Sequence, residues 1–322
     1  MYSTLVDAWS HPERRWPSVV YVETTNHCNA RCTCCLNHVC QRERGTMTMD
    51  TFRAVLERVR ERPWLRIEAM FCFGEPLLDP TLFDKYAAAR EAGLIRTDHC
   101  GLNTNVSGLT PDKYEPLLRQ TPNVTLSFFN VGKEYERMTG LSWQRSYDNA
   151  RKFIKYRDVH KPEYQVLIGV NTVAGHDLPA VMKAFAGKNV TFVQDAEIRW
   201  GGSLVTGVLD RSIMYPWWRC DGCKGALQVK WNGDCEFCAY DIRGTPAGGE
   251  TLFGNLLTDG WERLEESFRA KWRSCCSLCA RCDYWHRATA VFVNAMRRPD
   301  PIPRDWYDWQ LPLLQPGETI RD

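Results

Sequence analysis

Apolar and polar residues alternate in two distinct rhythms along the first two thirds of the chain. Short apolar runs, "SVVYVETT", "RIEAMFCFGE", "HCGLNTN", "NVTLSFFN", "YQVLIGVNTV" and "VTFVQDAEIRW", read as six strands. Between them lie stretches with helical spacing. In "MDTFRAVLERVRER", Phe52, Val55, Leu56 and Val59 share one face and Asp50 is placed to cap. "TLFDKYAAAREAG", "PDKYEPLLRQ", "WQRSYDNARKFIKYR" and "LPAVMKAFAG" continue the series. Strand and helix in alternation predict an α/β fold of parallel β/α units over residues 18–210, which cross over with one hand and curl toward a barrel. Functional residues are then expected at the C-terminal strand ends, where "NHCNARCTCC", "GEP", "NTN", "SFFN" and "RWGG" fall.

Past residue 210 the texture changes to Trp, Cys and Gly. "LQVKWNGDCEFCAY" predicts a hairpin with positive φ angles at Asn232 and Gly233, "TDGWERLEESFRAKW" a short helix, and "CCSLCARC" follows it. A chain of 322 residues can bury about three quarters of its unfolded surface, so it does not need disulfides to be stable. Lys and Arg total 41 against 39 Asp and Glu, a balance that recruits neither nucleic acid nor an acidic membrane. No signal peptide and no run of about 20 apolar residues is found, so a cytoplasmic protein is expected. Fifteen cysteines in that compartment point to metal or cluster ligation rather than to disulfides.

Cys28, Cys32 and Cys35 are spaced C-x3-C-x2-C on the loop after the first strand. Three thiolates there can hold three irons of a four-iron cluster and leave the fourth without a protein ligand. A zinc site completed by His27 or His38 is the alternative, although the spacing is not that of a zinc ribbon.

With these residues the chain resembles the radical S-adenosylmethionine (radical SAM) superfamily, over most of residues 18–290. The resemblance implies a partial (β/α)6 TIM-like barrel whose open iron chelates SAM and cleaves it to a 5'-deoxyadenosyl radical. "FGEPLLDP" is similar to the segment for the SAM amino group, which implies Gly74 and Glu75; "LNTNVSGL" implies Asn105, with Val106 where Gly is usual. "VTLSFFNVGKEYERMTG" implies Ser127 for the ribose or carboxylate, while Phe129 and Asn130 replace Asp-Gly and Thr139 replaces Arg. Cys34 stands where an aromatic residue commonly meets adenine.

Eight further cysteines form C-x2-C, C-x2-C and C-C-x2-C-x2-C groups. Zinc ribbons are one reading. Residues 211–290 also resemble the SPASM and twitch extensions that hold an auxiliary 4Fe-4S cluster, twitch fitting better. That likeness implies Cys220, Cys238, Cys279 and Cys282 as ligands, with Cys223 and Cys235 the competing hairpin pair and Cys275 and Cys276 left as thiols. Cys72 and Cys100 are expected to be ordinary buried cysteines. Residues 1–17 and 291–322 are expected to be tails.

The resemblance implies a sugar or aminocyclitol-type substrate, as in antibiotic biosynthesis, and a reductant such as flavodoxin or ferredoxin. Only 27 residues precede Cys28, so a separate N-terminal recognition domain is not expected. Dehydrogenation of a secondary alcohol would need a base, for which Glu197, Arg199 and Asp195 are candidates. An epimerase would use Cys275 or Cys276 to return hydrogen, and a decarboxylase would use Arg199 to hold a carboxylate. Peptide modification and a non-catalytic zinc protein are the remaining alternatives.

Overall fold

The computed structural model describes residues 16–17, 19–33, 35, 37, 40–71, 73–95, 100–171, 176–195, 226–238, 241 and 251–274. All six strands expected from the apolar runs are present: β1 (Val19–Val22), β2 (Ile67–Ala69), β3 (Leu102–Thr104), β4 (Asn123–Ser127), β5 (Gln165–Asn171) and β6 (Thr191–Asp195). Helices α1 (Met49–Arg60), α2 (Leu82–Glu91), α3 (Tyr114–Gln120), α4 (Gly132–Thr139), α5 (Trp143–His160) and α6 (Leu178–Ala184) connect them. Strands β3-β4-β5-β6 form one parallel sheet, and β1 pairs in parallel with β2. An isolated parallel bridge, Ile67 to Ile95, links β2 to the segment that leads to β3. This arrangement is that of a TIM-like partial barrel. No helix among the described residues is long and apolar enough to cross a membrane.

Two local expectations change. The cap of α1 is Thr48, whose side chain accepts from Thr51 N; Asp50 sits inside the first turn, where its charge still favours the helix N-terminus. Helix α4 was hidden within a stretch read only for its motif. It buries Tyr135, Met138 and Thr139 and ends at Gly140, at φ +69°.

Alternation along the strands separates two faces. Leu102, Val124, Leu126, Val166, Ile168 and Val170 are buried in one apolar cluster with Phe153 of α5 and Phe185 beyond α6. The intervening positions Asn103, Thr125 and Ser127 are short and polar, Asn103 exposed and the other two half-buried, so one face is a packed core and the other is polar.

The hairpin beyond residue 210 has β7 (Ala226–Val229) and β8 (Asp234–Glu236), joined edgewise by β9 (Leu252–Asn255) and followed by α7 (Trp261–Ser274). Its turn differs in detail from expectation, since Gly233 alone takes a positive φ. Gly233 N and Lys230 N bond to Lys230 O and Asp234 O, so the turn has three loop residues with glycine at its end. The expected domain boundary near residue 210 lies outside the described residues. On its far side, β7 pairs in parallel with β1, and the hairpin shares the barrel's hydrophobic cluster through Leu227, Val229 and Phe237.

Four charges are buried where β1 meets this hairpin. Arg42 donates two hydrogen bonds of 3.0 Å to Glu23, and Lys230 lies 3.0 Å from Glu236. The second contact is a buried ion pair. Burial works against the Arg42 charge, yet Glu23 and, beyond it, Glu236 hold its pKa above the ordinary value. Removing one member strands another. Glu236→Ala is therefore expected to cost about 3–5 kcal/mol in denaturant melts, and a Lys230→Met/Glu236→Leu double substitution distinctly less. Equal losses in the two proteins would show that the pair is not energetically coupled.

Candidate iron–sulfur and SAM site

The cysteine loop leaves the end of β1 and is tied at its neck. Thr25 bridges Thr46 in antiparallel fashion, Asn26 N donates to Gly45 O (3.2 Å), and Gly45 N donates to Asn26 Oδ1 (2.8 Å). Asn26 is fully buried; its Nδ2 donates to Glu43 O (2.8 Å), and its carbonyl accepts from Asn37 Nδ2 (3.1 Å) and Arg44 Nη1 (2.7 Å). Arg44 also reaches Asn37 Oδ1 (2.7 Å) and donates to the Asn37 carbonyl. The start and the end of the loop are thereby joined.

The loop's outer half rests on α4. Arg31 N donates to Thr139 O and Thr33 N to Met138 O, each at 2.8 Å. Three positions that depart from the usual pattern serve this contact. Phe129 packs on Met138 with Cys32 against them, Asn130 Oδ1 accepts from Val131 N, and Thr139 Oγ1 donates to Tyr135 O to hold the end of α4.

Cys28, Cys32 and Cys35 are half-buried. Backbone N–H groups already point at two of the sulfurs, Ala30 N at Cys28 Sγ and Asn37 N at Cys35 Sγ, both at 3.4 Å. Asn105 Nδ2 lies 3.9 Å from Cys28 Sγ. Donors aimed at sulfur suit thiolates that bind iron. Among the described residues, no three His, Cys, Asp or Glu side chains gather around a single ion. Three cysteine thiols on one loop, two of them met by backbone N–H groups, are a donor set that fits three irons of a four-iron cluster.

The "GEP" turn lies directly on the loop's neck. Gly74 has φ +100°, and a Cβ there would sit 2.5 Å from Thr25 O, so only glycine fits. Glu75 N donates to His27 O at 2.7 Å. The Glu75 carboxylate is buried and taken up by the protein: Oε1 accepts from Leu77 N (3.1 Å) and Thr104 Oγ1 (2.7 Å), Oε2 from Asn105 N (2.7 Å). Burial raises its pKa, and those three donors oppose the rise. Through these bonds the Glu75 side chain fastens β3 to the turn.

Asn105 stands beside Cys28, with Nδ2 donating to Asn29 Oδ1 (2.9 Å) and Oδ1 accepting from Ser107 N and Oγ. Asn29, Ser107, Asn26, Asn37 and Arg44 were not singled out by sequence; Asn-rich flanks around the cysteines were the available signal. Ser127 is half-buried at the last position of β4. Asp195 ends β6, paired with Asn171.

On the hairpin, Cys235 is buried in the core, and burial pushes its thiol well above the usual range, as for a packed apolar side chain. Cys238 is also buried. Trp231 of the turn covers Gly45, where a Cβ would lie 2.4 Å from its ring, and its Nε1 donates to Glu43 O at 3.3 Å. Cys100 is buried, as expected. His38, Cys34, Cys72, Glu197, Arg199, Cys220, Cys223, Cys275, Cys276, Cys279 and Cys282 lie outside the described residues.

Two outcomes follow from this geometry. Val106 is buried at φ +69°, a left-handed conformation that strains a β-branched residue by about 1–3 kcal/mol. In urea titrations Val106→Gly should be more stable than Val106→Ala by about 1 kcal/mol, reversing the usual order; the usual order would refute the strain. Burial also pushes the Cys35 thiol up to about 11, so iodoacetamide alkylation of Cys35 in the metal-free protein should keep accelerating to about pH 11. A plateau near the ordinary thiol value would contradict that environment.

The family model of the radical SAM superfamily matches residues 22–183, half of the chain. A tungsten-containing aldehyde ferredoxin oxidoreductase cofactor-modifying protein of Pyrococcus furiosus is 26% identical over 176 residues, 51% of this chain and 47% of that relative. The aligned stretch thus spans about half of the relative's length. Three solved structures share the fold at low identity. BtrN in complex with AdoMet and 2-DOIA has a TM-score of 0.52 at 17% identity, covering 85% of this chain and 89% of that one. SuiB of Streptococcus suis bound to the precursor peptide SuiA has 0.56 at 12%, covering 93% and 77%. Native anSMEcpe with bound AdoMet has 0.53 at 17%, covering 78% and 81%. With its three-cysteine loop sealed against the "GEP" turn and Asn105, this chain belongs to the radical SAM superfamily.

Proposed function

We propose that this radical SAM enzyme dehydrogenates a secondary alcohol of a sugar-derived small molecule. The observation that carries the enzymatic reading is the cysteine loop itself, tied at its neck and pressed against Gly74, Glu75 and Asn105 at three strand ends. Cys28, Cys32 and Cys35 would hold the 4Fe-4S cluster. The main chain at residues 74–75, with Asn105 and Ser127, would flank SAM. When bound, the pair supplies a 5'-deoxyadenosyl radical able to take hydrogen from unactivated carbon. The short polar side chains on the open strand face suit a hydroxylated ligand, and the fold's likeness to BtrN, which holds 2-DOIA beside AdoMet, supports a small molecule.

The further parts of this reading are an auxiliary 4Fe-4S cluster on Cys220, Cys238, Cys279 and Cys282, a proton acceptor among Glu197, Arg199 and Asp195, and a flavodoxin- or ferredoxin-type reductant in the cytoplasm. A second reading, peptide modification, is favoured by the SuiB likeness, a structure that holds a precursor peptide.

Iron and sulfide counts after anaerobic reconstitution test the cofactor reading. About eight irons in the wild type should fall to about four in the Cys28→Ala/Cys32→Ala/Cys35→Ala variant, with loss of 5'-deoxyadenosine formation. About four irons falling to none would remove the auxiliary cluster. Candidate polyols incubated in D2O with SAM and dithionite should give a product two hydrogens poorer and free of solvent deuterium. Deuterium on carbon at unchanged composition would instead mean epimerisation, and turnover of peptides alone would favour the second reading.

A further inference from the structure

Arg44 belongs to none of the motifs that identify the family, yet it touches both ends of the cysteine loop. Its three hydrogen bonds run to the Asn26 carbonyl, the Asn37 side chain and the Asn37 carbonyl, two residues before Cys28 and two after Cys35. A planar guanidinium can hold such a set at fixed angles, whereas an ammonium has no equivalent fork. All three acceptors are neutral, so these contacts leave its positive charge unmatched.

Arg42, two positions earlier, makes the contrast clear. Its guanidinium is neutralised by Glu23 through two hydrogen bonds. Among the described residues no carboxylate pairs with Arg44 in that way. The residue that Arg44 holds by both its side chain and its carbonyl, Asn37, in turn donates its N–H to Cys35 Sγ at 3.4 Å, so the guanidinium is fixed one residue away from a sulfur of the loop.

The geometry points to Arg44 as a positioning residue of the iron–sulfur site, a cation fixed on the two asparagines that flank the cysteine loop, which favours the reduced cluster. This rests on the reading that Cys28, Cys32 and Cys35 hold that cluster. One-electron reduction adds a negative charge to the cluster, and a nearby positive charge in a partly buried setting stabilises the added charge. The same charge would be of no use to a purely structural clasp.

The test uses the reconstituted full chain and reads the reduced cluster by EPR at a series of fixed potentials, with iron content measured alongside. A wild type without iron or a reduced-cluster signal would overturn both this inference and the cluster reading before any variant is made. With the cluster present, Arg44→Gln keeps a hydrogen-bonding group and loses the charge, while Arg44→Lys keeps the charge and loses the fork. The expected result is about a tenfold smaller ratio of reduced to oxidised cluster in Arg44→Gln at a given potential, equivalent to about 59 mV for a one-electron couple, with Arg44→Lys close to wild type. Loss of iron from Arg44→Gln but not from Arg44→Lys would also support the charge. Wild-type potentials in both variants would overturn the inference. So would equal loss of iron from both, which would leave Arg44 as a structural tie alone.

Discussion

The hydrogen bonding of Asn26 is the constraint on which the rest of the site depends. A loop of twelve residues that carries thiols to the mouth of a barrel must leave and re-enter the fold without stranding main-chain donors and acceptors. Asn26 meets that demand at one buried point, with its backbone N–H and side chain bound to the 43–45 segment and its carbonyl to Asn37 and Arg44. Once the neck is closed, the "GEP" turn has a flat surface to lie on, and the absence of a Cβ at Gly74 lets it do so. Glu75 then binds the end of β3, which sets Asn105 beside Cys28. Each later placement depends on the earlier one.

The departures from the usual family pattern fall into the same scheme. Phe129 and Thr139 stand where charged residues are common, and both turn inward to seat the cysteine loop on α4. Val106 keeps the backbone conformation that glycine normally supplies and fills a buried apolar position. Here local strain is exchanged for packing next to the site, as strained residues at functional sites often show. The chain retains the shape of the site while replacing some of the chemistry that usually makes it.

The strands and most helices were legible because burial on one face imposes period two or period 3.6 on the apolar residues, as in "NVTLSFFN" and α1. The cysteine loop was legible because cysteines are chemically distinctive and closely spaced there. Less was legible where long-range contacts decide. Glu75 stands out in a motif, but only the positions of Thr104 and Asn105 reveal that it also fastens β3. Arg44 looks like either of the two arginines in "QRERG"; its importance comes from Asn26 and Asn37. Helix α4 is short and flanked by glycines, so periodicity had little length in which to appear.

The seating of Trp231 on Gly45 joins positions 186 residues apart, and β1 gains its second neighbour only when β7 exists. During synthesis the chain grows from its N-terminus, so the cysteine loop is made long before the hairpin that covers its neck. Until then β1 has an open edge and Gly45 an empty surface. The completed seat is thus a late, non-local event in folding, of the kind that slows formation of the native state. A chain ending before residue 226 would carry the three cysteines without the strand that pairs with β1 and without the tryptophan that covers Gly45.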